Sequence, residues 1–118
     1  RTMPQCRLVI CHAGHGTMAR ALAAGCPVLA VPAAGDMNEN AARLDWAGVG
    51  VRLPWRLLSP VTLRLAARLA LEDKGMARRA RELGAWAASH GGAEGAADLV
   101  EDLARAERAG RAGAGREP

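Results

Sequence analysis

The chain has 118 residues, half of them hydrophobic, and a formal net charge of +4, which fits one soluble globular domain and excludes a disordered chain. Its aromatics are three Trp, with no Phe or Tyr. Ala, Leu and Val must therefore fill the interior, which suits helices packed on a sheet and excludes an aromatic-rich sandwich.

The longest uncharged stretch, residues 21–35, contains Pro27 and Pro32 and is shorter than the roughly 20 residues of a membrane span. No membrane span and no signal peptide are expected. Three cysteines, Cys6, Cys11 and Cys26, cannot pair completely and match no metal framework, so the expected setting is the reducing cytoplasm. The basic residues are Arg apart from Lys74, and carboxylates are scattered among them. Such a pattern reads as solvated helix faces, and no aromatic platform accompanies it, so no nucleic-acid partner is expected. The chain opens on Arg1-Thr2 and reaches apolar sequence almost at once, as a piece of a longer protein would.

Leu8-Val9-Ile10-Cys11 is a continuous apolar run, as in a strand buried on both faces. Residues 17–24 predict a short helix stopped by Gly25. Val28-Leu29-Ala30-Val31 is a second strand, and residues 38–47 predict a second helix stopped by Gly48. Residues 49–53 give a third strand. The spacing predicts an α/β fold, a three-stranded parallel βαβαβ unit. Ser59-Pro60 starts a helix to about Leu71, and residues 74–90 form another with Met76, Ala80, Leu83 and Ala87 on one face. A last helix turns Ala96, Leu99, Val100 and Leu103 inward. Residues 109–118 lack an apolar stripe and are expected as a disordered tail, leaving 1–108 as the folded part.

The first strand runs into Cys11-His12-Ala13-Gly14-His15-Gly16-Thr17, directly before a helix. Helix N-termini offer unpaired N–H groups and partial positive charge, so such a turn suits phosphate. Gly14 and Gly16 permit close backbone approach and positive φ, and Thr17 adds a hydroxyl. His12 sits where the strand's end opens into the crevice of a parallel sheet. The same residues also suit a plain tight turn with Thr17 as helix cap and His12 as a structural group. Cys11, His12 and His15 lack a fourth ligand and make a poor metal cage, so no metal is expected. Gly14-x-Gly16-x-x-Ala19 with Asp36 also satisfies the dinucleotide fingerprint of NAD-binding folds. There the acid closes the second strand, whereas Pro32-Ala33-Ala34-Gly35 moves Asp36 into a loop. Asp36 and Glu39 also read as a capping box.

His12-Ala13-Gly14-His15-Gly16-Thr17, Ala21-Leu22-Ala23-Ala24-Gly25-Cys26-Pro27, Val31-Pro32, Asp36, Asn40-Ala41 and Gly48-Val49-Gly50 follow one order. This order closely resembles the family-1 glycosyltransferases of GT-B architecture, the UDP-glycosyltransferase and macrolide glycosyltransferase type of secondary metabolism. The resemblance spans roughly residues 4 to 104. It implies part of a Rossmann-like donor-binding domain, with His12, Gly14, His15, Gly16 and Thr17 at the diphosphate of a nucleotide sugar. Asp36 and Met37 are implied at the sugar, and Gln5 resembles the end of a base-gripping loop. The implied reaction is an inverting transfer from a UDP- or dTDP-linked sugar, without metal or other cofactor, to a small lipophilic acceptor held by an N-terminal domain. That domain would supply the general base, so no catalytic residue is expected here, and this chain alone should not turn over. The family has Gln where this chain has Met37, which removes an amide from the sugar's surroundings. The alternatives are an NAD-binding oxidoreductase fragment and a non-catalytic nucleotide-binding module. The first strand is expected to lack a neighbour on one edge and to promote association there.

Overall fold

The structure, a computed structural model, describes residues 2–114, with side chains through 111. Three short strands, β1 (Val9–Cys11), β2 (Val28–Ala30) and β3 (Gly50–Arg52), form one sheet in the order β1-β2-β3. Both pairings are parallel, with Val9 beside Val28 and Val28 beside Gly50. Helix α1 (His15–Ala23) links the first two strands and α2 (Asp36–Trp46) the second two. Helices α3 (Pro60–Glu72), α4 (Lys74–Ser89) and α5 (Gly92–Ala114) follow. The α/β reading and the three-stranded parallel βαβαβ unit hold. The chain divides into two compact units after Trp86, so the sheet lies wholly in the first.

Side-chain alternation on β2 builds two cores. Val28 and Ala30 face a cluster with Ala21 of α1, Ala41 and Leu44 of α2 and Ala80 of α4. Leu29 faces the other way, with Val31 and Leu53, against Leu63, Ala66 and Ala67 of α3. All of β2 is buried, as a central parallel strand should be. On the outer strand β1, Ile10 is half exposed. Small residues let the layers approach closely. A β-carbon on Gly84 of α4 would stand 2.8 Å from the Gly25 nitrogen and 2.9 Å from its Cα.

Both expected glycine stops have the left-handed backbone that glycine tolerates, Gly25 at φ +73° and Gly48 at +66°. The Arg79 guanidinium donates to the Gly48 carbonyl at 2.8 Å and so satisfies a group just past the end of α2. Ser59 caps α3 in a reciprocal box with Thr62.

Two expectations about α5 change. Leu99, Val100 and Leu103, expected to face inward, are 73%, 68% and 64% exposed. The helix also continues through Ala114, into the segment expected as tail. Ala, Arg and Glu favour helix strongly, and glycines such as Gly110 cost only about 1 kcal/mol each. Residues 115–118 lie outside the described residues. No helix among the described residues is long and apolar enough to cross a membrane.

Candidate functional site

The parallel sheet sends the turns after β1 and β2 to the same end, and these turns carry most of the sequence-predicted residues. Helix α1 begins at His15, with Gly14 as its N-cap and no side-chain cap. Its first ladder bond runs from the Met18 N–H to the Gly14 carbonyl at 3.0 Å. The N–H groups of His15, Gly16 and Thr17 thus precede the ladder, at the positive end of the helix dipole. Thr17 lies inside the helix, so it is not the cap that the sequence allowed. His12, His15 and Gly16 are exposed at this turn.

The two glycines have different reasons. A β-carbon on Gly14 would lie 2.5 Å from His12 Nε2, so a side chain there would push the imidazole from its place over the turn. Around Gly16 a β-carbon would meet nothing within 4 Å. Neither glycine has positive φ. The left-handed residue of the turn is Ala13, at φ +65°, although it is fully buried and carries a side chain. Alanine gives no sequence signal for that conformation, and the composition of the turn pointed to the glycines instead.

Asp36 opens α2 as its first helical residue, exposed, with Gly35 at φ +58° as the N-cap. The capping box is therefore absent, because the chain turns one residue early on glycine. The acid instead sits in the first turn, where it complements the dipole. It lies outside β2, unlike the acid of a dinucleotide fold. Met37 is half buried and packs against the core cluster of Ala13, Ala41 and Leu44. One turn beyond Asp36, Asn40 donates from Nδ2 to the Ala13 carbonyl at 3.1 Å and ties α2 to the β1–α1 turn. Sequence reading placed Asn40 in the motif but gave it no task. Asn38 accepts from Arg52 of β3 at 3.2 Å. Beside them is a concave surface of about 600 Å³, lined by Pro32, Asn38, Arg52, Trp55 and Arg56 among others. Gln5 stands elsewhere, in a 3-10 turn (Met3–Gln5) before β1. It lines a cavity of about 520 Å³ with Cys26 and Arg81, beside the segments that lead into β1 and β2.

The chain as a whole matches known proteins in sequence and in shape. The profile of the family described as erythromycin biosynthesis protein CIII-like, C-terminal domain, matches residues 1–103. O-mycaminosyltylonolide 6-deoxyallosyltransferase of Streptomyces fradiae is 39% identical over 103 residues, 86% of this chain and 24% of that protein. Oleandomycin glycosyltransferase of Streptomyces antibioticus is 38% identical over 97 residues, 82% of this chain and 23% of that protein. The calicheamicin glycosyltransferase CalG4 superposes with a TM-score of 0.79 at 31% identity, covering 85% of this chain and 25% of that one. Glycosyltransferase VinC, solved in complex with dTDP, gives 0.65 at 27% identity, covering 69% and 21%. The chain thus spans about a quarter of the length of the curated relatives it matches. The matches are glycosyltransferases, which disfavours the oxidoreductase alternative. The chain belongs to the erythromycin biosynthesis protein CIII-like C-terminal domain family, the C-terminal part of family-1 glycosyltransferases of GT-B architecture.

Proposed function

We propose that this chain is the donor-binding part of an inverting glycosyltransferase whose acceptor is a small lipophilic natural product. The observation that carries this reading is the uncapped start of α1, with His12 across Gly14 and open space over Gly16. His15, Gly16 and Thr17 would donate backbone N–H groups to the donor's diphosphate, and Asp36 would accept from hydroxyls of its sugar. Met37 would add only the part of its side chain that the core leaves uncovered. The acceptor and its general base belong to a part of the protein outside this chain.

In the proposed reaction an acceptor oxygen attacks the anomeric carbon opposite the leaving group. The bond from that carbon to the diphosphate oxygen breaks, its electron pair passes to the diphosphate, and the acceptor's proton passes to the base. Negative charge therefore grows on the diphosphate in the transition state. Fixed N–H dipoles and His12 at that position stabilise it without reorganising. The dTDP in the VinC complex and the deoxysugar in the name of the Streptomyces fradiae relative support a dTDP-linked deoxysugar as donor.

Thermal unfolding with added dTDP, UDP or NAD tests the reading. A ligand that binds only the folded chain raises its midpoint. A rise with dTDP and none with NAD is expected. A rise with NAD alone would return the chain to the dinucleotide-binding class.

A further inference from the structure

We infer that Asn40 is a positioning residue, which holds Ala13 in its left-handed conformation and thereby aims the start of α1. The inference rests on the proposed diphosphate site and assigns the group that shapes it. Three observations converge on it. Ala13 has φ +65°, a region that an alanine β-carbon disfavours, so surrounding structure must hold it there. Ala13 is fully buried, so water does not compete for that role. Among the described residues, the Asn40 amide makes the one side-chain hydrogen bond to the 12–17 turn, on the Ala13 carbonyl itself.

Geometry links this bond to the proposed ligand. Ala13 lies between His12 and Gly14, the N-cap of α1. A return of its φ to negative values would swing both neighbours, taking the imidazole and the first helical N–H groups out of line together. Asp36 lies four residues before Asn40 and therefore shares its helix face. One face of α2 thus carries the proposed sugar contact and fixes the turn proposed for the diphosphate.

Amide NMR spectra of the 118-residue chain test this, with Asn40→Ala and the equally shaped Asn40→Asp, and dTDP as probe. In Asn40→Asp a carboxylate replaces the donor and faces a carbonyl. Both variants should shift the ligand-free amides of Gly14, His15, Gly16 and Thr17 while leaving Val28–Ala30 in place. dTDP affinity should fall about tenfold, the scale of losing a partner for a buried polar group. Adding Ala13→Gly to Asn40→Ala should recover most of that loss, because glycine adopts positive φ at no steric cost. A merely structural asparagine would give no such recovery. The inference is overturned if the turn amides and affinity stay unchanged, or if Ala13→Gly recovers nothing. If the native chain itself fails to bind dTDP, the diphosphate reading falls. The ligand-free shifts and their reversal by Ala13→Gly then still decide the role of Asn40.

Discussion

The imidazole of His12 lies across Gly14, so closely that a β-carbon on Gly14 would stand 2.5 Å from Nε2. Two residues of the turn therefore form one unit: the histidine occupies the space that the glycine leaves. Gly16, two residues on, has open space instead. The proposed ligand, rather than the protein, is what a side chain at Gly16 would meet.

Gly16→Ala should accordingly separate stability from binding. Gly16 stands in the first turn of α1 with open space around it, so alanine there should stabilise the fold, by less than the roughly 0.5–1 kcal/mol of a helix-interior site. The same methyl group should weaken dTDP binding. Thermal unfolding and titration calorimetry on one sample check both signs. A gain in stability with undiminished binding would clear Gly16 of contact with the diphosphate.

Gly84→Ala should do the opposite, with a purely structural loss. Its β-carbon would stand 2.8–2.9 Å from Gly25 backbone atoms, which move only by shifting the turn that leads into β2. Overpacking of this kind costs about 1–3 kcal/mol. Denaturant unfolding should show a lower midpoint with an unchanged slope.

The cysteines should differ in reactivity. Cys6 is exposed, Cys11 intermediate and Cys26 buried. Burial, and secondarily the nearby Cys6, push the Cys26 thiol above its ordinary value. Alkylation timed by mass spectrometry should label Cys6 first and Cys26 last. The raised thiol also fixes a sign for stability. Below the range in which an unfolded thiol ionises, both states are neutral and the contribution is full. As pH rises past it, the unfolded chain ionises first and stability falls, until the folded thiol ionises too.

Met37 separates two views of sugar recognition. Its half-buried side chain packs on the core, and Asp36 beside it is exposed. A hydroxyl-poor sugar loses nothing beside a thioether, whereas a fully hydroxylated one leaves a group unpaired. In a glycosyltransferase that carries this chain as its C-terminal part, Met37→Gln should shift kcat/KM toward UDP-glucose and away from a dTDP-deoxysugar. An unchanged ratio would leave the discrimination to Asp36.

Much of the fold was legible because it is written in local chemistry. Unbroken apolar runs marked β1 and β2, and Gly25 and Gly48 ended helices at positive φ as their lack of a β-carbon allows. Ser59-Pro60 announced α3 and its cap. What was not legible depends on partners distant in sequence. Ala13 is left-handed in a context with Asn40, 27 residues on, and no local residue pattern encodes that. Asp36 looked like a cap because its side chain suits one, yet Gly35 turned the chain first. The α5 stripe was legible as apolar, whereas the exposure of Leu99, Val100 and Leu103 was not, since helical periodicity does not specify what packs on a face.

The most direct test of the central claim is the turnover of His12→Ala in such a complete glycosyltransferase, with the KM for acceptor measured alongside. If His12 and the start of α1 stabilise charge on the departing diphosphate, kcat should fall by one to two orders of magnitude, about 1.4–2.7 kcal/mol of barrier. The acceptor's KM should barely change. Native turnover in the variant would contradict the account and leave the imidazole as a filler for the space above Gly14.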